Sequence, residues 1–345
     1  MRRALLFMVL VSLIAACVNA APETPDSLRL LAHDSFAEAV TSDTFAAFTE
    51  ATGIEVEVIA GSDAGSMVNQ AILSKDNPLA DVMFGVDDTF LSRALDEGIL
   101  LDYESGLSGQ VPQDLFRGAQ GVVTPIDFGD VCINYAKDWF ESTATPVPTT
   151  LDQLRDPSYA AVLTVEHPAT SSPGLAFMLA TIAEYGEEGW LDFWADLKAG
   201  GVGVVPDWNT AYYTDFVPYG GESAMVVSYA SSPPAEVIFA SEPIDEPPTG
   251  VIEAGCYRQV EYAGILDGTS YPEAAGQLID FMLSVDFQET IPLTWFVFPA
   301  NQDASLPPEF TEHTTLPESP AQIDPAIIAE NRDRWIDEWV SVMEG

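Results

Sequence analysis

The sequence predicts an α/β fold with two lobes and a ligand cleft between them. Apolar strand patterns alternate with helical patterns twice along the chain, first over 28–86 and again over 162–229. Such alternation is typical of βαβ units in a parallel sheet. Two extended stretches, VTPIDFGDVCINY at 123–135 and CYRQVEYAGIL at 256–266, lie between the series and after the second one. We interpret them as two chain crossings between the lobes.

Each series supplies strands and helices in turn. The first predicts strands at 28–32, 54–60 and 81–86, with helices over 37–52 and from about Gly65. The second predicts a further set of elements: strands at 162–166, 201–205 and 223–229, and a helix from Pro173. Two later helices are predicted, one over 273–283 and a tail helix with a packing stripe of Ile328, Trp335, Trp339 and Val342.

The order of these elements predicts the domain boundaries. We expect a signal peptide over 1–20, a first lobe formed by 27–124 plus 266–345, and a second lobe formed by 125–265. The second lobe includes both crossings. No internal repeat is visible, and the Pro-rich passages at 146–148 and 241–249 indicate surface loops.

The amino terminus predicts export. Arg2 and Arg3 precede an apolar run that is too short to span a bilayer and has the layout of a secretory signal. The segment IAAC at 14–17 resembles a lipobox, which favours lipidation of Cys17, while 18–20 offers a site for ordinary signal peptidase. We therefore expect a periplasmic protein or a lipoprotein on the outer face of the cell membrane, with membrane contact only through a lipid anchor.

The chain is strongly acidic. Its net charge of −42 becomes about −44 once Arg2 and Arg3 leave with the signal, because that segment carries no acid. Such a charge repels phosphate backbones, so nucleic acid is not an expected partner. Acids spread along a whole chain also promote solubility or salt tolerance, so the charge alone does not name a ligand.

Lipidation of Cys17 would leave Cys132 and Cys256 as the remaining cysteines. An even pair in an oxidising compartment is able to form one disulfide. Two separate buried thiols are the alternative, and the sequence leaves the choice open.

Polar and aromatic residues follow the predicted strands at their carboxyl ends, where open parallel sheets bind ligands. These segments are 33–35, 62–63, 87–88, 171–172, 207–208 and 229–232. The stretch TSSPGLAF at 170–177 predicts a helix start, where Ser171 and Ser172 would hold a hydroxyl or a phosphate. Simple helix capping is the alternative for these serines and for Asp63.

The sequence carries no sign of catalysis. Its three histidines, His33, His167 and His313, lie outside any Gly-x-Ser-x-Gly context, and HExxH, Walker A and GxGxxG motifs are absent from the sequence. Neighbouring residues such as His33, Asp34 and Ser35 do not converge as a triad must. We expect a binding protein with no enzyme activity, no cofactor and no metal.

Aromatic residues suggest what the cleft binds. Trp208, Tyr212, Tyr229, Trp295 and Phe296 would cluster there and clamp a flat ring, with a contribution of about 0.5–2 kcal/mol from each face if the ring is cationic. The adjacent pair at 212–213 also resembles the tyrosines of exported ferric-iron carriers. The alternative for this pair is that one tyrosine faces the cleft while the other packs.

Several of these stretches resemble the thiamine-binding proteins of bacterial thiamine ABC transporters. The resemblance covers about 28–343 and is carried by HDSFAEA at 33–39, ADVMFGVDD at 80–88, PIDFGDVCINY at 125–135, TSSPGLAF at 170–177, the tryptophan of VVPDWNTAYY, VVSYASSPPAE at 226–236, IPLTWFVFPAN at 291–301 and the closing RDRWIDEWVSVM. It implies a type II periplasmic-binding-protein fold. It also implies ligand contacts from Asp63, Ala64, Ser171, Ser172, Trp208, Tyr229, Ala230, Ser231 and Ser232. Tyr212, where the family also has an aromatic residue, is a further expected ligand contact.

This chain departs from that family at two places. The family usually has a tyrosine where His33 stands, and its Asn-Trp pair becomes Trp295-Phe296 here, with Trp295 as the expected ring contact. The resemblance implies a monomeric receptor that binds thiamine, and its phosphates, and delivers it to an ABC permease. A ferric-ion carrier using Tyr212 and Tyr213 is the alternative function, and a polyamine receptor is a third.

Overall fold

The computed structural model describes residues 24–345, so the predicted signal peptide and Cys17 lie outside the described residues. In this part of the chain nine strands form one mixed sheet: β1 (Ser27–Ala32), β2 (Glu55–Ala60), β3 (Val82–Asp87), β4 (Thr124–Ala136), β5 (Leu163–Glu166), β6 (Gly203–Val205), β7 (Met225–Tyr229), β8 (Thr249–Ile265) and β9 (Phe298–Pro299). The spatial order is β2-β1-β3-β8-β4-β7-β5-β6, and β9 pairs with β4.

Helices connect and follow these strands. They are α1 (Asp34–Ala39), α2 (Ala46–Thr52), α3 (Ala64–Leu73), α4 (Leu91–Asp96), α5 (Lys137–Thr143), α6 (Leu151–Leu154), α7 (Pro157–Ala160), α8 (Ser172–Gly200), α9 (Trp208–Thr210), α10 (Ser232–Ile238), α11 (Pro272–Met282), α12 (Val285–Gln288), α13 (Ile291–Thr294), α14 (Pro308–His313) and α15 (Pro325–Glu344). Short 3-10 or π turns cover Ser108–Gln110, Gln113–Phe116, Ala211–Asp215 and Val217–Tyr219.

Two groups of parallel strands confirm the predicted α/β class. Strand β1 pairs in parallel with β2 and β3, and these three are called the first half-sheet. Strand β5 pairs in parallel with β6 and β7, and these three are called the second half-sheet. The predicted boundaries of the two lobes, at 124/125 and 265/266, stay a prediction.

Two long antiparallel strands join the half-sheets. Strands β4 and β8 pair with each other from Thr124 opposite Ala263 to Ala136 opposite Thr249. Strand β8 also pairs with β3, and β4 also pairs with β7. A disulfide links Cys132 on β4 to Cys256 on β8, which resolves the choice that the sequence left open.

The helix predicted over 37–52 is wrong in its extent, because the chain forms α1 and α2 with a break between them. In the break, the Thr41 amide donates to Oγ1 of Thr44 at 3.0 Å, and the Asp43 amide donates to Oγ1 of Thr41 at 3.3 Å. Short oxygen-bearing side chains of this kind compete with helical hydrogen bonds. They therefore end α1 before α2 begins.

The tail helix α15 packs as its stripe predicts. Ile328, Trp335 and Trp339 are fully or almost fully buried, and the Trp339 ring meets that of Trp194 on α8 at 5.4 Å between centroids. Helix α15 also contacts α4, where the Arg332 guanidinium lies over the Phe90 ring. The tail helix therefore touches elements that follow both half-sheets. In the described part of the chain, no helix has the length and apolarity needed to cross a bilayer.

Candidate binding site

A cavity of about 260 Å³ lies where the carboxyl ends of the two half-sheets face each other. Loops and helix starts after β1 and β2 contribute His33, Ser35, Glu38, Ala39, Asp63 and Ala64. Segments on the other side contribute Ser172, Pro173, Trp208, Asn209, Tyr213, Tyr229 and Ser232. Glu261 of β8 and residues 294–297 complete the lining.

His33 and Glu261 form the polar floor of the cavity. Nε2 of His33 lies 3.3 Å from Oε2 of Glu261, and its Nδ1 accepts the Phe36 amide, so His33 also caps α1. Burial alone lowers the pKa of His33, but Glu261 and Asp63 outweigh it, so the pKa is raised above its usual value. A Cβ at Gly85, whose φ is +91°, would collide with the His33 ring. Gly85 therefore makes the room that this histidine needs.

Asp63 both caps a helix and lines the cavity, so the helix capping and the ligand contact predicted for this residue are compatible. Its Oδ1 accepts the Ala64 amide at 2.7 Å at the start of α3, and its Oδ2 accepts the Trp208 amide at 3.3 Å. Burial raises the pKa of Asp63 to about 6. The Ser171 hydroxyl lies near enough to oppose that increase, but it completes no hydrogen bond of good geometry.

Further acids lie beneath the lining. Asp87 is fully buried and accepts the hydroxyls of Ser172 and Thr89. Burial raises the pKa of Asp87 to about 6, and burial with the nearby Glu261 raises the pKa of Asp127 well above its usual value. The layer beneath the cavity is therefore rich in carboxyl groups whose ionisation costs free energy when no cation is nearby.

The opposite wall is aromatic. The Trp208 ring stacks on Tyr212 with 5.0 Å between centroids and meets Tyr213 and Tyr229 edge to face at 5.4 and 6.5 Å. Its Nε1 donates to Oγ of Ser228 at 2.9 Å, which fixes the ring. Trp208 and Tyr229 are half-buried and lie beside the cavity. They are placed to meet the face or edge of a flat ligand.

Residues 295–296, in the loop between α13 and β9, close one side of the cavity. Nε1 of Trp295 donates to Asp127 at 3.0 Å, and its ring packs on Phe36 at 4.8 Å between centroids. Phe296 has a φ of +65°, which is unusual for a bulky residue, and meets Phe239 edge to face at 4.9 Å. Trp295 is only 9% exposed, because most of its surface is packed in the core of the first half-sheet.

The structure brings many of the predicted site residues together. Those that line the cavity are Asp63, Ala64, Ser172, Trp208, Tyr229, Ser232 and Trp295. Those that do not line it are Ser171, Tyr212, Ala230 and Ser231, which are buried behind it. Tyr212 is set back because it supports the rear face of Trp208. Ligand contact by any of these residues stays a prediction.

Sequence reasoning missed Glu38, Tyr213 and Glu261 as lining residues. Tyr213 is 44% exposed and takes the cleft position, so the alternative in which one tyrosine of the pair packs is the correct one. Glu261 lies within a strand, where strand alternation was its only sequence signal. Glu38 lies on α1 and bonds Asn209 at 3.1 Å across the cleft.

A second cavity of about 410 Å³ adjoins the first and shares Trp208 and Tyr213 with it. There Glu236 accepts the hydroxyls of Tyr212 at 2.6 Å and Tyr219 at 2.9 Å. Burial, together with Glu236, raises the pKa of Tyr212 well above its usual value. Within residues 24–345, no group of three or more His, Cys, Asp or Glu side chains is arranged to hold a metal.

Two α/β halves with a cavity between the carboxyl ends of their strands, together with the likeness to a solved periplasmic thiamin binding protein, define a solute-binding protein with the type II periplasmic-binding fold. The chain belongs to the bacterial extracellular solute-binding protein family, whose model matches residues 77–331. This is a family of substrate-binding transport proteins and not one of enzymes.

Similar proteins agree with this assignment. A thiamine-binding periplasmic protein of Escherichia coli (strain K12) is 29% identical over 293 residues, which are 85% of each chain. One from Brucella suis biovar 1 (strain 1330) is 27% identical over 339 residues, covering 94% of this chain and 95% of the other.

Solved structures share the fold. A periplasmic thiamin binding protein matches with a TM-score of 0.80 and 26% identity, covering 92% of this chain and 96% of the other. Iron-bound HitA from Pseudomonas aeruginosa matches with a TM-score of 0.73 and 22% identity, covering 92% and 99%. The similarity to HitA concerns the fold alone.

Proposed function

We propose that this protein binds thiamine outside the cytoplasm and delivers it, chemically unchanged and without a cofactor, to a membrane permease. The relatives named above bind thiamine, and one of their structures shares the fold of this chain. The observation that carries the proposal is the pairing of an aromatic wall with carboxylates in one cavity.

The chemistry of thiamine fits that pairing. Its thiazolium ring carries a permanent positive charge, and its aminopyrimidine ring stacks and forms hydrogen bonds. Trp208 and Tyr229 offer aromatic surfaces, each of which contributes about 0.5–2 kcal/mol toward a cation. Asp63 and Glu261 offer the opposite charge from the other side of the cavity. Binding then shifts a hinge equilibrium toward a closed state.

Trp208→Ala tests the aromatic wall. We expect thiamine affinity to fall at least tenfold, about 1.4 kcal/mol, because both the stacking surface and its support on Tyr212 are lost. Isothermal titration calorimetry measures the change, and Trp208→Phe, which keeps a ring, should fall less. Equal affinity in all three proteins would remove Trp208 from the site. Mass spectrometry of the small molecule that co-purifies identifies the ligand independently.

Export and partners are part of the proposal. We infer that a monomer, held at the membrane by a lipid on Cys17, presents thiamine to an ABC permease that a cytoplasmic ATPase drives; the extracellular family supports export. Labelling of cells with a radioactive fatty acid should mark the native protein but not Cys17→Ala. Labelling of both would place the lipid elsewhere, and labelling of neither would favour ordinary signal cleavage.

The two alternative ligands give different signals. Iron bound by tyrosinates absorbs visible light, whereas a thiamine complex stays colourless. A polyamine receptor would let spermidine displace thiamine in a competition titration. We expect a colourless protein and no displacement.

A further inference from the structure

The second cavity, of about 410 Å³, has walls that the first cavity lacks. Its volume lies within the range of small-molecule sites, about 300–1,000 Å³. It shares Trp208 and Tyr213 with the first cavity and adds Tyr212, Tyr219, Glu236 and Phe239. The thiamine site proposed above makes no use of Tyr219, Glu236 or Phe239, so these side chains are left without a function.

Three aromatic side chains of the second cavity are open to solvent. Phe239 is 54% exposed, Tyr213 is 44% exposed and Tyr219 is 42% exposed. The ring plane of Tyr213 crosses those of Tyr212 and Tyr219 at 86° and 83°, with 5.4 and 5.0 Å between centroids. A flat ligand cannot stack on rings that cross at right angles, whereas a compact, rounded group can contact walls of different orientation. The arrangement of the rings therefore favours a compact ligand.

Glu236 gives the second cavity its charge. Its Oε1 accepts both the Tyr212 and the Tyr219 hydroxyl, and among the described side chains no donor reaches its Oε2. The described lining residues of this cavity include no lysine, arginine or histidine. Burial raises the pKa of Glu236, although the two phenols oppose that increase. A cation in the cavity would stabilise the carboxylate that burial disfavours.

We propose that the second cavity is a separate binding site for a small quaternary ammonium compound. Aromatic rings attract such a cation through their quadrupole, and several rings around one charge are the usual way in which proteins recognise quaternary ammonium groups. A quaternary ammonium group donates no hydrogen bonds from its nitrogen, so one nearby carboxylate, Glu236, is enough to complement it. The site goes beyond the proposed function, because it would be occupied together with thiamine.

Calorimetric titration with choline chloride, at constant ionic strength, tests the proposal. The neutral control is the carbon analogue of choline, in which a tert-butyl group replaces the trimethylammonium group. We expect choline to bind at least about fivefold more tightly than this alcohol, because the two differ only in charge. Equal binding of the two would show an apolar cavity with no preference for a cation. That result, or a failure of choline to bind, would overturn the proposal.

Saturation with thiamine shows whether the two sites are separate. We expect the same choline affinity with and without thiamine. Displacement of choline by thiamine would mean that one site takes both molecules, which would overturn the proposal and support the proposed function. If thiamine itself does not bind, the proposed function fails, while choline titrations of the native protein and of the variants below still decide whether the second site exists.

Matched variants locate the choline site. Glu236→Gln should weaken choline binding at least about fivefold, whereas Glu50→Gln, the same change on an exposed residue that lines neither cavity, should leave it unchanged. Tyr219→Leu should weaken binding at least about threefold, and Tyr219→Phe, which keeps the ring, should weaken it less. Thermal unfolding checks that each variant is folded. Unchanged affinity in Glu236→Gln, or equal weakening in Glu50→Gln, would contradict the proposal.

Discussion

The tripeptide Ser-Ser-Pro occurs twice, at 171–173 and at 231–233, and each copy begins a helix, α8 or α10. In both copies the second serine lines the cavity while the first is buried behind it. Their partners differ. Ser172 donates to the buried carboxyl of Asp87, whereas Ser232 shares a 3.0 Å hydrogen bond with Ser228, which fixes Trp208. Local sequence therefore sets the backbone of these helix starts, and distant residues set their chemistry.

Packing around the two helix starts also differs. Gly174 follows the first copy, and a Cβ there would lie 2.7 Å from the carbonyl carbon of Glu166 and still closer to its oxygen. Pro234 holds the equivalent position in α10. The start of α8 is thus pressed against β5, and only a residue without a side chain permits that approach.

The largest expected effect concerns pH, because only the α8 copy faces buried acids. Asp63 and Asp87 have folded-state pKa values of about 6, above the ordinary value of 3.8, because burial disfavours the charged form. Stability is therefore highest below about pH 4 for these two groups and is lost as pH rises to about 6, by roughly 2–3 kcal/mol for each. Denaturation with urea at pH 4.5 and 7.5 measures the loss.

Matched variants show whether these acids cause that loss. Asp87→Asn should make the loss of stability between pH 4.5 and 7.5 smaller by roughly 2–3 kcal/mol, because Asp63 still titrates, while Ser228→Ala, beside the other helix start, should leave the size of the loss unchanged. A profile as steep in Asp87→Asn as in the native protein would show that Asp87 does not contribute.

Gly174→Ala should have the next largest effect. The added methyl group must displace the Glu166 backbone, which we expect to cost about 2–3 kcal/mol, as in other overpacked cores. Thermal unfolding should show a Tm lower by roughly 3–5 °C. Pro234→Ala in α10 meets no such obstacle. Gly189→Ala, on α8 with 3.4 Å to the nearest atom, should be neutral or slightly stabilising. Equal losses in all three would mean that the approach to β5 is not the cause.

Alanine substitution of the two cavity-lining serines, Ser172 and Ser232, should lower the free energy of unfolding by different amounts. Ser172→Ala removes one of the donors to buried Asp87 and should cost about 1–2 kcal/mol, because a charged acceptor loses its partner. Ser232→Ala removes a bond between two neutral hydroxyls and should cost about 0.5–1 kcal/mol. Urea denaturation compares them at one pH. A larger cost at Ser232 would reverse the contrast between the two helix starts.

The smallest effect is expected at Ser231, whose buried hydroxyl has no hydrogen-bond partner. Removal of an unpaired buried hydroxyl loses no bond, so Ser231→Ala should change stability by less than about 0.5 kcal/mol. A loss well above 1 kcal/mol in the same denaturation experiment would show that this hydroxyl has a partner in solution.

Sequence patterns predicted most of the scaffold. Strands expected at 28–32 and 81–86 are β1 and β3, and the helix expected from Pro173 begins one residue earlier as α8. These elements were predictable from the sequence because the apolar spacing that defines each of them lies within one short stretch of the chain. The break between α1 and α2 was missed, since side-chain to backbone bonds at 41–44 overrode the helical spacing.

The site was less accessible to prediction because its chemistry depends on residues far apart in the chain. Ser172 and Asp87 are 85 positions apart, and His33 and Glu261 are 228 apart. The adjacent pair Tyr212 and Tyr213 shows the same limit. Both side chains are phenols and both contact Trp208, but Tyr212 stacks behind the Trp208 ring and donates to Glu236, whereas Tyr213 meets the ring edge to face and lines the cavity.

The bond between Cys132 and Cys256 bears on how the molecule can bend. It fastens the two connecting strands at residues where β4 also pairs with β7, so a covalent bond as well as sheet hydrogen bonds hold that stretch to the second half-sheet. We therefore expect any rotation that opens the cleft to pivot in the part of β4 and β8 that runs toward β3. One register shift between β4 and β8, between Pro125 and Asp127, lies in that part, and the other, between Val131 and Ile133, spans the cross-linked Cys132. The covalent bond thus restrains the irregular pairing near β7 and leaves the one near β3 without such a restraint.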